Sequence, residues 1–199
     1  MVGLGKIALF TSIIVLVSLG CGCSRGIVRE PRGVREERNT QEIAKENLEK
    51  VIAAINDRDS EALKNLFSKN VQDEAELLDE GIDYIFSTLP NGITSVEEDH
   101  GAAYEEHVRG NSKEVTLRKN YLLNADGDEY RFMIKSCTRN DREPDEEAVQ
   151  GILLFPADKE IDFKFNFRGI YIPDSFLEEH YPEKYKEYKE KSAEEEERE

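Results

Sequence analysis

The chain has 199 residues, with 43 Asp and Glu against 27 Lys and Arg, which gives a formal net charge of −16 at pH 7. This balance disfavours a nucleic-acid partner, because phosphate binding needs clustered Lys and Arg, and no basic stripe lies beyond the N-terminal segment. Three cysteines cannot build the disulfide framework of a small secreted domain, so the domain needs its own hydrophobic core.

The first twenty residues have the three-part layout of a secretory signal peptide. Lys6 precedes a mostly apolar run over residues 7–19, and Gly20-Cys21-Gly22-Cys23 follows it. The run is shorter than the roughly 20 apolar residues that a membrane-spanning helix needs. We therefore predict a cleaved signal peptide over residues 1–20.

Ser18-Leu19-Gly20-Cys21 resembles the lipobox of bacterial lipoprotein signals, in which a small residue precedes the cysteine that takes the lipid. Cys21 is the predicted lipidation site, and Cys23 after Gly22 is the alternative. A metal site at this cysteine pair is disfavoured, because only Cys137 remains as a further thiol and zinc needs four ligands. The lipid would place the protein at the cell membrane, facing the extracytoplasmic side.

Residues 21–39 are predicted to be a flexible, lipid-anchored tether. They combine many Arg and Glu residues with Gly and Pro, and they have no apolar periodicity. The other end of the chain is acidic, and residues 175–199 are predicted to be a C-terminal helix followed by an acidic tail. Between these two segments, residues 40–174 are predicted to be the globular domain.

Three N-terminal helices are predicted from apolar residues that recur at helical spacing. The first covers residues 40–56 with Thr40 as its N-cap, and the second is a short helix after Asp59 that buries leucine and phenylalanine side chains. The third covers residues 73–89, because Asp73-Glu74-Ala75-Glu76 resembles a capping box. Gly81 lies within it, where glycine costs about 1 kcal/mol relative to alanine, and close packing against a neighbour would explain its presence.

The rest of the domain shows the period-two alternation of strands. Strands are predicted at residues 93–98, 115–123, 130–134, 148–155 and 161–167. The second and third are joined by Asp126-Gly127-Asp128, a strong hairpin signal, and the first is a weak strand at the edge. Helices first and an antiparallel sheet second define the α+β class. In the final helix, Tyr181, Tyr185 and Tyr188 share one stripe, which packs onto the domain or docks a partner.

Several segments together resemble a family of bacterial lipoproteins of unknown function with a nuclear-transport-factor-2-like, or cystatin-like, domain. The segments are the lipobox-like sequence, residues 56–68, the Asp126-Gly127-Asp128 hairpin, Gly151-Ile152 and Gly169-Ile170-Tyr171-Ile172. The resemblance implies three N-terminal helices packed on a curved antiparallel sheet of four to five strands, a cone that encloses a pocket, plus a C-terminal helix. It supplies no catalytic residues.

Four aromatic residues, Tyr84, Tyr121, Tyr130 and Phe132, are candidates for lining this pocket, although aromatic residues in such patterns more often pack in the core. His100 and His107 lie beside carboxylates and form a weak alternative site for a metal or a general base. Their polar surroundings favour an exposed loop instead. Cys137 lies in an apolar strand pattern and is predicted to be a small buried residue.

The sequence therefore favours a lipid-anchored, non-catalytic binding or interaction module that needs no cofactor. Its partners would be the membrane, through the anchor, and a protein or a small apolar ligand. The alternative is a small-molecule carrier or an isomerase- or hydrolase-like enzyme that uses the cone-shaped pocket. Two convergent ionisable groups in the pocket would favour chemistry, whereas an apolar lining would favour binding.

Overall fold

The helices of the chain mostly precede its sheet, which confirms the predicted α+β class. This computed structural model describes residues 32–99, 102–159 and 168–196. The helices are α1 (Arg32–Asn56), α2 (Ser60–Asn65), α3 (Lys69–Glu74), α4 (Leu78–Thr88), α5 (Asp174–His180) and α6 (Pro182–Glu196). The strands are β1 (Ser95–Glu98), β2 (Ala103–Arg109), β3 (Ser112–Ala125), β4 (Asp128–Asn140), β5 (Val149–Pro156) and β6 (Gly169–Ile170).

The strands form one open sheet in the order β1-β3-β4-β5-β6, with β2 also paired to β3. All pairs are antiparallel except β5 and β6, which run parallel. The described residues thus contain six strands rather than four to five. The short β6 escaped prediction because two residues carry no detectable period, and residues 161–167, predicted as a strand, lie outside the described residues.

The predicted hairpin of β3 and β4 is confirmed. Asp126 and Gly127 have φ angles of 54° and 91°, and Ala125 pairs with Asp128 across the turn. Two consecutive positive φ values define the type I′ turn, whose twist matches that of the flanking strands. This turn fixes the register that places Tyr121 opposite Phe132.

The first helix begins at Arg32, eight positions before the predicted start at Thr40, so it includes part of the predicted tether. Arg and Glu are good helix formers, so a helix can begin in this segment although its sequence has no apolar period. Thr40 is buried, and its Oγ1 accepts a hydrogen bond of 3.4 Å from the Thr138 hydroxyl. Its predicted role as an N-cap was wrong.

The second helix is confirmed, with the Asp59 side chain accepting a hydrogen bond of 2.9 Å from the Ala62 N–H. The predicted third helix, residues 73–89, contains α4 but only the last two residues of α3, which is an additional helix, so four helices precede the sheet. The supposed capping box at residues 73–76 coincides with the end of α3. Ser68 caps α3 instead, and its backbone N–H donates to the Val149 carbonyl at 2.9 Å. This bond connects the start of α3 to β5.

The main core lies between the helices and one face of the sheet. Its most deeply buried large side chains are Ile55, Leu63, Phe67, Ile85, Leu89, Leu123, Phe132, Ile152, Leu154 and Leu177. A smaller cluster of Met133, Leu153 and Phe155 lies on the alternate positions of β4 and β5, on the opposite face.

The predicted single C-terminal helix is also divided. Tyr181 ends α5, and Pro182 begins α6. Proline is favoured in the first turn of a helix, where its missing N–H is not needed, but it interrupts a helix that would run through it.

Gly81 allows α4 to approach β6 closely, as its position within a helix suggested. A Cβ atom at this position would lie 2.5 Å from the Ile170 Cβ. We expect Gly81→Ala to destabilise the domain by about 1–3 kcal/mol, because overpacking outweighs the gain in helix propensity. Ser87→Ala, at an exposed position of the same helix, should stay within about 0.5 kcal/mol of wild type in thermal unfolding. Equal stability of the two variants would contradict this account.

Candidate functional site

A half-open cleft lies where the break between α3 and α4 meets β6, α5 and α6. Its volume is about 270 Å³. Three features of the fold create it. Residues 75–77 leave the helical path between α3 and α4, β6 pairs in parallel with β5, and the chain then turns into α5 at Pro173.

The floor of the cleft is aliphatic. It consists of Leu78, Ile170, Ile172 and Leu177, all of which are buried. The backbone N–H of Tyr171 donates to the Ile152 carbonyl at 2.9 Å, which extends the pairing of β6 and fixes this floor to the sheet. Such a surface offers dispersion contacts and desolvation to an apolar group.

The rim of the cleft is charged. Glu76, Arg168, Asp174 and Tyr188 line it. The Arg168 guanidinium lies 3.3 Å from a Glu74 carboxylate oxygen. The two acids of the rim form ion pairs with lysines of α6. Lys191 Nζ lies 2.7 Å from Glu76 Oε1, and Lys189 Nζ lies 3.0 Å from Asp174 Oδ2.

Two further contacts tie α6 and its preceding turn to α4. Lys184 forms an ion pair with Glu80, whose side chain is only 6% exposed. The Tyr181 hydroxyl donates to Asp83 Oδ2 at 2.6 Å. This hydrogen bond, with burial, raises the pKa of Tyr181 to about 12. The bond to Glu80 likewise raises the pKa of Lys184, so both groups keep their protons near neutral pH.

The α5 helix is held differently, by apolar and aromatic contacts. Leu177 is buried in the core, and the Phe176 ring packs edge-on against Tyr84 with ring centroids 5.0 Å apart. The His180 ring stacks on Phe176 at 4.3 Å. The cleft is therefore closed on one side by a firmly packed helix and on the other by a helix that is attached largely through charged and hydroxyl groups.

The four candidate pocket residues lie at separate places, with Tyr121 and Phe132 lining a cavity of about 130 Å³, Tyr130 lining another, and Tyr84 lining neither. Tyr84 is buried and donates from its hydroxyl to the Leu154 carbonyl at 2.9 Å. Tyr121 and Phe132 are buried cross-strand neighbours, and Tyr130 is partly buried at the end of the hairpin. Burial raises the pKa of Tyr84 and of Tyr121 to about 12, so neither phenol can act as a base near neutral pH.

The histidine and cysteine residues occupy separate places. His107 is exposed on β2, so the predicted loop around it is in fact a strand, whereas His100 lies outside the described residues. Among the residues that the structure describes, no group of three His, Cys, Asp or Glu residues is placed to hold a metal. Cys137 is buried, as predicted, and burial raises the pKa of its thiol to about 11.

Another cavity, of about 170 Å³, lies beside the turn between β2 and β3. Arg109, Lys113 and Arg142 contribute positive charge to it, while Glu114 and Glu143 contribute negative charge. The Arg142 guanidinium donates to the Arg109 carbonyl at 3.2 Å. This mixed lining provides no apolar floor, and the aliphatic cleft is the better candidate for a binding site.

The sequence did not identify the residues of the cleft, because they come from three segments that are distant in the chain. One signal was available in the final helix. Lys184 and Lys191 are seven positions apart and share a helical face with the tyrosines, which marks a basic and aromatic stripe in an otherwise acidic segment.

The architecture defines an α+β domain with an open, mostly antiparallel sheet and an apolar cleft at one side. Residues 50–157 match a family described as a domain of unknown function, DUF5104. The match spans more than half of the chain, which therefore belongs to this family. It ends before β6, α5 and α6, so these cleft elements lie beyond the matched segment. No curated protein matches the chain. Within the described residues, no helix is both long enough and apolar enough to span a membrane.

The pair of Lys184 and Glu80 provides a test of how α6 is held. We expect Lys184→Met to lower the unfolding midpoint by about 5 °C, because it leaves a buried carboxylate without its cation. Adding Glu80→Gln should recover part of the loss. Lys186→Met, at an exposed position of the same helix, is the matched control and should leave the midpoint nearly unchanged. Equal effects of the two lysine substitutions would rule out a specific contribution of the pair.

Proposed function

We propose that this protein is a lipid-anchored, extracytoplasmic binding module that uses the cleft between α4, β6, α5 and α6. The observation that carries the proposal is the aliphatic floor beneath a charged rim. An apolar side chain of a protein, or a small apolar molecule, fits a site of this size and chemistry better than a reacting polar group does. The protein would act without catalysis and without a cofactor.

The membrane attachment in this proposal is supported by the N-terminal sequence. The short apolar run ends at Cys21 in a lipobox-like sequence, and Cys23 is the alternative acceptor. A lipid on either cysteine would hold the domain at the membrane through the segment that precedes α1. One acyl chain binds a membrane only marginally, whereas a diacylglyceryl group supplies two chains and gives stable anchoring.

We also propose that the sheet is a variant of the nuclear-transport-factor-2-like cone. The pairing of β3 with β4 shifts between Val115 and Thr116, and that of β4 with β5 shifts between Lys135 and Ser136. Such bulges bend strands and increase their twist, which supports a sheet that curves around the helices. An experimental structure that superposes poorly on known members of the cone would reject this assignment.

The anchor is tested by replacing the acceptor cysteine. We expect mass spectrometry to find a diacylglyceryl group on Cys21 of the membrane-bound protein. Cys21→Ala should leave the precursor unprocessed or release the chain from the membrane fraction, whereas Cys23→Ala should remain bound. The reverse result would transfer the anchor to Cys23, and membrane release of neither variant would reject lipidation.

The cleft is tested with N-phenyl-1-naphthylamine, a neutral apolar dye that fluoresces when it leaves water. We expect saturable binding to the mature chain. Ala75→Leu should weaken this binding about tenfold, because the added methyl groups fill part of the cleft. Ala102→Leu, at an exposed site outside the cleft, should bind the dye like wild type. Unsaturable binding, or equal binding by both variants, would count against the cleft as the site.

A further inference from the structure

The stripe on the final helix is complementary to the surface beneath it. Tyr181, Lys184, Tyr185, Tyr188 and Lys191 recur at helical spacing and so share one side. All five meet the body of the domain. The lysines contact Glu80 and Glu76, the hydroxyls of Tyr181 and Tyr185 donate to Asp83 and Asp174, and Tyr188 borders the cleft.

The surface that receives this stripe combines an apolar floor with a row of acids. Glu76, Glu80, Asp83 and Asp174 all bind groups of the α5–α6 segment. Glu76 and Asp174 line the cleft together with Leu78, Ile172 and Leu177, while Glu80 and Asp83 extend the row of acids along α4 beneath the α5–α6 segment. We refer to this surface as the acidic groove. Its chemistry matches a helix that carries lysines and an aromatic residue on one face.

The attachment of α6 is suited to exchange. The side chains of Lys189 and Asp174 are 52% and 57% exposed, and those of Lys191 and Glu76 are 59% and 57% exposed. Ion pairs this exposed to solvent contribute little to stability and are screened by salt. The α5 helix, by contrast, buries Leu177 and packs Phe176 edge-on against Tyr84. Two contacts of α6 are less exposed, because Lys184 pairs with the buried Glu80 and Tyr185 packs partly buried against the core. A helix that displaces α6 must therefore supply its own cation to Glu80, while α5 keeps its contacts with the core.

We propose that α6 is a built-in occupant of the acidic groove, and that the partner of this protein is a basic amphipathic helix that displaces it. The inference rests on the proposed function of the cleft as a binding site. The partner helix would carry lysines about seven positions apart to reach Glu76 and Glu80. An aromatic or aliphatic side chain between the lysines would enter the cleft that Tyr188 borders.

Competition from α6 would keep weak, unspecific ligands out of the acidic groove. Because α6 is part of the chain, its effective concentration at the groove is on the order of millimolar. A competing helix must therefore bind more tightly than α6 does. The acidic residues on the solvent side of α6, such as Glu183, Glu187 and Glu190, do not contribute to this competition and repel other acidic chains.

The experiment uses the mature chain, residues 21–199, with Cys21→Ser to prevent lipidation. Lys189→Glu and Lys191→Glu together form the released variant, in which the two contacts of α6 with the cleft acids become repulsive. The probe is a fluorescein-labelled peptide of residues 181–196, followed by anisotropy. We expect the released variant to bind this peptide at least about tenfold more tightly than the wild-type chain, because its own α6 no longer competes.

Lys186→Glu is the matched control. It makes one Lys→Glu substitution, half the charge change of the released variant, on α6 at an exposed position outside the stripe, and it should bind the peptide as weakly as wild type. Adding Glu76→Lys and Asp174→Lys to the released variant should abolish binding, and a peptide with its lysines changed to glutamate should not bind. Circular dichroism and a cooperative unfolding transition establish that each variant is folded.

A second measurement does not depend on the variants. Excess peptide added to the wild-type chain should accelerate amide hydrogen exchange in residues 182–191 and leave α5 unchanged, because the peptide replaces α6. Peptide binding by the released variant no tighter than by the Lys186→Glu control, without accelerated exchange in wild type, would overturn the proposal.

The dye separates this result from the broader proposal. If the released variant binds N-phenyl-1-naphthylamine but not the peptide, only the helical partner is wrong. If it binds neither, the cleft is not a binding site and both proposals fail. A wild-type dimer that the Glu76→Lys and Asp174→Lys substitutions dissociate would identify a second copy as the occupant, which would also overturn the proposal of a different partner.

Discussion

The register of the β3–β4 hairpin is the constraint on which the rest of the structure depends. Its turn at Asp126-Gly127 uses two positive φ values, which few residue pairs adopt readily. A slip of one residue would move Phe132 from the helix-covered face to the opposite face. The edge strands β1 and β2 pair with β3, and β5 pairs with β4. Strand β5 in turn pairs with β6, and its Val149 carbonyl accepts the hydrogen bond from the Ser68 N–H at the start of α3.

The contrast between apolar and charged attachments divides the domain functionally. The buried faces of α1, α4 and α5 form one core with the sheet. Separating these helices from the sheet would expose apolar surface and cost free energy. Among the described side chains of α6, Lys184, Lys189 and Lys191 form ion pairs with the domain, and Tyr185 packs partly buried against the core. Segments with this type of attachment belong to the least stable parts of a fold, and binding sites are commonly drawn from them. The candidate site therefore lies between α5, which is packed into the core, and α6, which is attached mainly by ion pairs.

The accuracy of the sequence-based predictions followed the strength of the local pattern. The α2 helix and the central hairpin were predictable, because each depends on residues within a few positions of one another. The burial of Cys137 and the close packing of Gly81 were predictable from the surrounding apolar pattern, although the residue that Gly81 contacts, Ile170, lies far along the chain. The start of α1 and the strand β2 were missed because both are rich in charged residues and have no apolar period. The start of α3 at Ser68 was missed because the Ser68 backbone N–H is held by the Val149 carbonyl, far along the chain.

The sequence by itself determined the acidic character of the protein, its signal-like N-terminus, the α+β class and the apolar faces of most elements. These properties depend on composition and on apolar periods of two or 3.6 residues. Both can be read from a short segment of sequence without knowing its neighbours in the fold. Only the tertiary structure decided the cleft and the acidic groove. Glu80 and Lys184 are 104 positions apart, and the side chains of the floor come from segments joined by the parallel pairing of β5 and β6. No local pattern encodes such contacts, because they exist only after the hairpin, the crossover to β6 and the turn at Pro182 have brought these segments together.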